Sequence, residues 1–248
     1  MSRFFVKSTD VFPDSINITG EDVDHIRRVL RLKPGDNIIV SDSKGMDYLV
    51  EIQKFEDHSV LTKIVSSTKN VTEPPVEVTL FQGLPKSDKM DFIIQKGVEL
   101  GVKRIFPVIT ERTVVKLASR KDEEKKCERW NRISMEAAKQ CNRGIIPRVE
   151  FPISFQDAVE YSKNAHMAVI PYEKETGKGL RHILEGKADI KNVFVFIGPE
   201  GGFTEKEIEK AVGRGVNPVT LGPRILRTET AGIAVLSILM YELGDVGK

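Results

Sequence analysis

The chain of 248 residues contains only two cysteines, one tryptophan and four histidines. Cys127 and Cys141 lie fourteen positions apart on one predicted helix, a spacing that suits neither a redox pair nor a disulfide framework, and the scattered histidines form no metal-ligand cluster. Both cysteines read as packing residues, and no metal is expected. Long apolar runs are missing too. The most apolar stretch, Thr228 to Leu243, falls short of the ~20 residues that span a bilayer and carries Glu229 and Glu242. The start, Met1 to Lys7, has no secretory leader pattern, so the expectation is a cytoplasmic protein without a membrane span. Net charge is nearly absent as well, at +2. That balance hides a bias. Residues 103–148 hold thirteen Lys or Arg against six Asp or Glu, whereas residues 1–72 hold ten against eleven. Positive charge concentrated in one segment is what a phosphate-binding face requires.

Two periodic regions are separated by the polar stretch Ser66 to Pro75, which ends in a proline pair. A domain boundary is placed there, giving domains at 1–70 and 76–248. The first reads as short strands with Gly and Asp turns around one helix, Glu21 to Arg31, a pattern that suggests a small barrel. From Val76 strands and helices alternate. Strands are expected at Val76–Phe81, Arg104–Ile109, Val149–Phe151, Met167–Ile170, Val193–Ile197 and Pro218–Leu221. Helices are expected at Asp88–Leu100, Asp122–Asn142, Phe155–Ser162, Glu205–Val212 and Thr228–Leu243. Such alternation builds a mainly parallel sheet with helices on both faces, and by itself implies an unknotted, doubly wound one.

Two glycine-rich loops near the C-terminal end organise this second region. Ile197-Gly198-Pro199-Glu200-Gly201-Gly202 follows the apolar run Val193–Ile197, and Leu221-Gly222-Pro223-Arg224-Ile225-Leu226-Arg227 follows Pro218–Leu221. Glycine at a strand end lets a ligand lie against bare backbone, although a tight turn alone also explains a glycine pair. Thr204 with Glu207 forms a capping box for the helix after the first loop, and Gly213 and Gly215 mark its end. The helix after the second loop is apolar almost all round, so it is buried in a core, in a subunit interface, or in both.

This ordered pair of loops resembles the SPOUT class of S-adenosylmethionine-dependent RNA methyltransferases. Further stretches narrow the resemblance to the bacterial ribosomal RNA small subunit methyltransferase E family, which modifies N3 of a uridine. They are Arg3-Phe4-Phe5, His25 to Arg31 with Gly35-Asp36, Leu84-Pro85-Lys86 with Asp91 and Gln95-Lys96, Thr110 to Val115, and Arg129-Trp130 with Glu136 to Arg143. The resemblance covers nearly the whole chain. It implies a PUA-like RNA-binding barrel followed by an α/β methyltransferase domain whose last strands and helix form a trefoil knot. It also implies S-adenosylmethionine as cofactor, held by Pro171, Ile197, Gly198, Gly201, Leu221, Gly222, Ile225, Leu226 and Thr228. A homodimer through the C-terminal domain and small-subunit ribosomal RNA, free or assembled, are the implied partners.

Deprotonated uridine N3 spreads negative charge over its flanking carbonyl oxygens, which a guanidinium would stabilise. Arg227 and Arg224 are the candidates, and Glu229 and Glu200 are the only carboxylates near the loops that could take a proton. Arg224 paired with Glu200 or Glu229 simply to hold the loops is the competing reading. For RNA, the candidates are Arg28 and Arg31 in the first domain, then Arg112, Lys116, Arg129, Lys139 and Arg143, the last three expected on an exposed helix face. Trp130 fits either base stacking or the helix's apolar stripe with Ile133, Ala137 and Cys141. Ribose 2′-O methylation and a non-catalytic assembly role are the alternative functions.

Overall fold

A computed structural model describes residues 1–186 and 189–247. The chain forms two compact units, residues 1–73 with 138–146, and residues 74–137 with 147–248.

The first unit holds β1 (Arg3–Phe5), β2 (Ser15–Thr19), β3 (Asn37–Ser41), β4 (Met46–Phe55) and β5 (Ser59–Lys69) in one curled sheet of order β1-β3-β4-β5-β2. Register shifts between Leu49 and Val50 and between Ile52 and Lys54 put bulges into the β4–β5 ladder, and bulges bend a strand pair. Alternate residues Ile16, Ile18, Ile38, Val40, Val50 and Ile52 point into its core, together with Phe4 and Ile26. The expected helix is shorter and less regular. Here α1 (Glu21–Asp24) passes into a π turn over His25–Val29, and Arg31 takes a left-handed φ of 54°. Pro34 follows closely and cannot continue a helix.

The second unit is built on a seven-stranded sheet. Its strands are β6 (Glu77–Gly83), β7 (Arg104–Ile109), β8 (Arg148–Val149), β9 (Ile153–Ser154), β10 (Met167–Pro171), β11 (Asn192–Ile197) and β12 (Asn217–Val219), in the order β12-β10-β11-β6-β7-β8, with β9 also on β7. Every described pairing is parallel. The helices are α2 (Lys89–Glu99), α3 (Arg120–Gln140), α4 (Phe155–Tyr161), α5 (Leu180–Leu184), α6 (Glu205–Val212) and α7 (Thr228–Glu242).

Central strands buried on both faces explain the unbroken apolar run of β11. Phe194 and Phe196 point to one side, where Phe81, Phe106, Phe155, Phe203 and Ile208 meet them. Phe196, Phe81 and Phe106 are register partners, and their rings stack at centroid separations of 4.6 and 5.0 Å. Each such pair adds about 0.5–1.5 kcal/mol beyond its burial. On α6, Thr204 accepts from the Glu207 amide while the Glu207 carboxylate accepts from the Thr204 amide, the reciprocal cap expected there.

The strands that bear the two glycine loops are not neighbours. β10 lies between β11 and β12, and α7 returns past it to pack on β6, β11 and α2. The β10–β11 connection in turn bridges onto Thr220 through Gly179, with the Thr220 amide donating to the Lys178 carbonyl at 2.8 Å. A knotted crossover needs this strand order and this return.

Candidate active site

The carboxyl edge of the sheet brings the two loops together through one hydroxyl. Thr228, the first residue of α7, donates from Oγ1 to the Gly198 carbonyl at 2.6 Å and accepts from Gln82 Nε2 at 2.8 Å. The end of β6, the first loop and the start of α7 thus share one buried contact. Pro171 is the register partner of Val219, so the end of β10 sits beside the start of the second loop. Ile197 is likewise paired with Gln82. Among the expected cofactor residues, Pro171, Ile197, Gly198 and Thr228 are therefore gathered at adjoining strand ends.

The first loop is a tightly held wall. A Cβ on Gly198 would sit 3.1 Å from the Gly202 Cα and 3.2 Å from its carbonyl carbon, so any larger residue would have to push the Gly202 backbone away by a few tenths of an ångström. Gly201 is covered by Arg112, whose Nη1 donates to the Gly201 carbonyl at 2.7 Å. The Lys86 amide donates to Glu200 at 3.1 Å, and Lys89 Nζ lies 3.0 Å from Glu200 Oε1 and 3.5 Å from Glu229 Oε2. Burial pushes the Glu200 carboxyl up, but hydrogen bonds from its own amide, from Lys89 and from Lys86 outweigh that and hold it below its ordinary value. The hydrogen bond to Glu200 raises Lys89 above its ordinary value.

The competing reading, in which Arg224 pairs with Glu200 or Glu229 to hold the loops, is not what the structure shows. Lys89, one residue into α2, reaches both carboxylates first and leaves Arg224 in solvent. Glu229 Oε2 is buried and accepts no hydrogen bond among the described residues, and its ion pair with Lys89 at 3.5 Å makes Glu229 part of a clasp with Glu200. Lys89 and Gln82 were both missed in the sequence. The only signal for Lys89 was its place just after the Leu84-Pro85-Lys86 stretch.

The second loop is open. Gly222 has φ of +102°, with empty space where a Cβ would project. Arg224 and Arg227 are exposed and make no hydrogen bond or ion pair among the described residues, Ile225 is 89% exposed, and Leu221 and Leu226 are half-buried. A backbone-lined strand edge with one rigid wall and one open loop suits a ligand that needs close main-chain approach. The residues present fit the nucleoside cofactor that the resemblance implies. A cavity of about 410 Å³ opens beside the first loop between Arg112, Tyr172, Glu173, Phe203 and Thr204.

The basic residues divide into two sets. Arg28 is exposed and paired with Asp24 at 3.2 Å, Arg31 and Lys116 are exposed, and Arg129 is exposed and paired with Asp91. Arg143 and Lys139 contradict the expectation of an exposed face. Arg143 is 3% exposed and its Nη2 donates to Glu73 Oε2 at 2.6 Å. Lys139 pairs with Asp22 at 2.9 Å and lies over the Phe4 ring. Residues 138–146 belong to the first unit rather than to the 76–248 block, so these two cations neutralise carboxylates inside that unit. Trp130 is 5% exposed, in keeping with the apolar-stripe reading.

Comparison with known proteins agrees with this geometry. Residues 72–240 match the RNA methyltransferase domain family and residues 18–65 the RNA methyltransferase PUA domain family. The chain is 36% identical to the ribosomal RNA small subunit methyltransferase E of Bacillus subtilis, over 98% of this chain and 97% of the relative. It is similar to the crystal structure of the enzyme of that name from Neisseria gonorrhoeae bound to S-adenosyl methionine, with TM-score 0.87, 32% identity and 99% coverage of each chain. A methyltransferase from Legionella pneumophila in complex with the same cofactor matches with TM-score 0.88 and 31% identity, over 98% of each chain. With both family domains matched in order, full-length relatives above 30% identity and the glycine loops gathered at one sheet edge, this chain belongs to the ribosomal RNA small subunit methyltransferase E family.

Proposed function

We propose that this chain transfers a methyl group from S-adenosylmethionine to N3 of a uridine in small-subunit ribosomal RNA. The observation that carries this reading is the Gln82–Thr228–Gly198 contact, which draws both glycine loops to one point on the carboxyl edge of a parallel sheet. Ligands of open α/β sheets bind at such edges, and relatives from N. gonorrhoeae and L. pneumophila are described as bound to this cofactor.

The backbones of Gly198, Gly201, Leu221 and Gly222 would hold the cofactor, with Pro171, Ile197, Ile225, Leu226 and Thr228 closing around it. Once bound, it supplies an electrophilic methyl on a sulfonium with a neutral leaving group. The chain must then align N3 and favour its anion. Arg227 and Arg224, in the second loop and without partners among the described residues, hold negative charge on the uracil oxygens as the N3 proton leaves to solvent. Glu229 and Glu200 keep the two loops in register through Lys89. Arg28, Arg31, Arg112, Lys116 and Arg129, all exposed although Arg28, Arg112 and Arg129 also bond within the protein, meet RNA phosphates, while Lys139 and Arg143 serve the fold.

The same reading includes a trefoil crossover around the cofactor, action in the cytoplasm, and a homodimer formed through α7, on which Ile238 and Tyr241 remain exposed. The test is nucleoside analysis of small-subunit ribosomal RNA from a strain lacking the protein, with the purified chain added back to RNA and to assembled subunits. Loss and return of 3-methyluridine support the proposal. Loss and return of a 2′-O-methylated nucleoside instead would overturn it.

A further inference from the structure

A second concavity lies apart from the glycine loops. It is a crevice of about 230 Å³ within the second unit, between the segment that enters α2 and one face of α3. Leu84, Pro85, Met90, Val115 and Trp130 supply apolar lining, and Ser87, Asp88, Lys126 and Arg129 a polar mouth. Arg129 is anchored at this mouth by Asp91 and, at 3.7 Å, by Asp88. The Ser87 hydroxyl and the Lys126 ammonium have no hydrogen bond or ion pair among the described residues. Ser87 also holds a left-handed φ of 56°, a conformation that costs a non-glycine residue energy and that clusters at ligand sites.

Size selects the occupant. Pockets for drug-sized ligands run from about 300 to 1,000 Å³, so this crevice admits one flat ring and is too small for a nucleoside cofactor. A narrow crevice with apolar walls, a largely buried tryptophan behind them, hydrogen-bonding groups at its mouth and two cations beside it suits an unstacked base with its phosphate. The segment lining it is anchored at its other side to the first glycine loop, through the Lys86 amide and Lys89 on Glu200. We infer that this crevice takes a single unstacked base of the RNA substrate, with Lys126 and Arg129 on the adjoining phosphate. This rests on the reading that RNA is the substrate, and it adds a base-binding subsite outside the cofactor loops.

Trp130 is the chain's only tryptophan and therefore an intrinsic reporter. The full chain, without cofactor, is titrated with single-stranded hexauridylate and with an abasic hexamer of the same backbone. The inference expects hexauridylate alone to quench Trp130 and to bind about tenfold more tightly, the scale of one stacked base. Val115→Phe, which narrows the slot, should abolish both differences. Photo-crosslinking of the unaltered chain to an oligomer containing 4-thiouridine should label residues 84–91 or 126–130, a measurement that needs no variant. Equal quenching and equal affinity for the two oligomers, or crosslinks confined to other segments, would overturn it. The cofactor-free titration keeps the two proposals separable. Normal 3-methyluridine formation without base-dependent quenching sinks the crevice alone, and quenching in a chain that makes no 3-methyluridine sinks the proposed reaction alone.

Discussion

The two glycine-rich loops look alike in the sequence and are built in opposite ways. The first, Gly198 to Gly202, is fixed by Arg112 from one side, by Lys86 and Lys89 through Glu200, and by Thr228 from below. The second, Gly222 to Arg227, has an isoleucine in solvent and two exposed arginines without a hydrogen bond or ion pair among the described residues. Where a loop is already held from several sides, a ligand meets a preformed surface. Where cations and apolar groups stand uncovered, a ligand or partner supplies the missing contacts and bears the cost of ordering them. The glycines of the first loop thus stand in close contact with neighbouring atoms, and the side chains of the second stand uncovered.

The largest break in that contrast should come from the open loop. Arg227→Ala is expected to leave folding intact and to lower the methylation rate at saturating RNA by about 10²-fold, roughly 3 kcal/mol, because the lost interaction is made mainly in the transition state. Single-turnover rates at saturating RNA check this, and a normal rate would remove Arg227 from the chemistry. Gly198→Val should act on the rigid wall. Its side chain meets the Gly202 backbone, so a loss of about 1–3 kcal/mol in stability is expected together with more than tenfold weaker cofactor binding. Calorimetry finding the parent affinity in a folded variant would reduce that loop to a turn.

Thr228→Val keeps the shape of the joint and removes its hydroxyl, leaving the Gln82 amide and the Gly198 carbonyl short of a partner. About 1–3 kcal/mol should be lost in denaturant unfolding, and a variant as stable as the parent would show that water replaces the hydroxyl freely. The smallest effect concerns the clasp. Glu200 is lowered, so its contribution is present above the unfolded carboxylate value near ~4.3 and disappears as pH falls through the folded value below it. Lys89 is raised, so its contribution is present below ~10.4 and fades as pH rises through a still higher value. The clasp should hold between those limits. A carbon-detected NMR titration should place the Glu200 midpoint below the usual carboxylate range and move it upward in Lys89→Met, and an unmoved midpoint would show that Lys89 does not set it.

Periodicity made much of the fold legible. Arg104–Ile109 and Glu205–Val212 were expected at the limits they have, because a doubly buried strand and a capped amphipathic helix carry their boundaries in local sequence. The short α5 and β9 were missed, since five and two residues are too few to display a period. The glycine loops were readable for the same local reason, but the clasp that holds them was not. Glu200 meets a lysine more than a hundred positions earlier, and nothing local marks Lys89 as that partner. Arg143 failed in the same way. Its charge suggested phosphate, and the distant Glu73, which it meets inside the first unit, is not marked by anything local.

The parallel ladder between β6 and β11 joins residues 115 positions apart, as in Leu80 with Val195. No short segment of the chain can therefore assemble this edge ahead of the rest, because closing so long a loop is repaid only when the whole sheet forms. Folding and the appearance of ligand affinity become a single cooperative event. A partly folded chain has nothing with which to hold a ligand, so a ligand that binds here draws on the complete structure alone and raises its melting temperature with the logarithm of its concentration, even after the site is full.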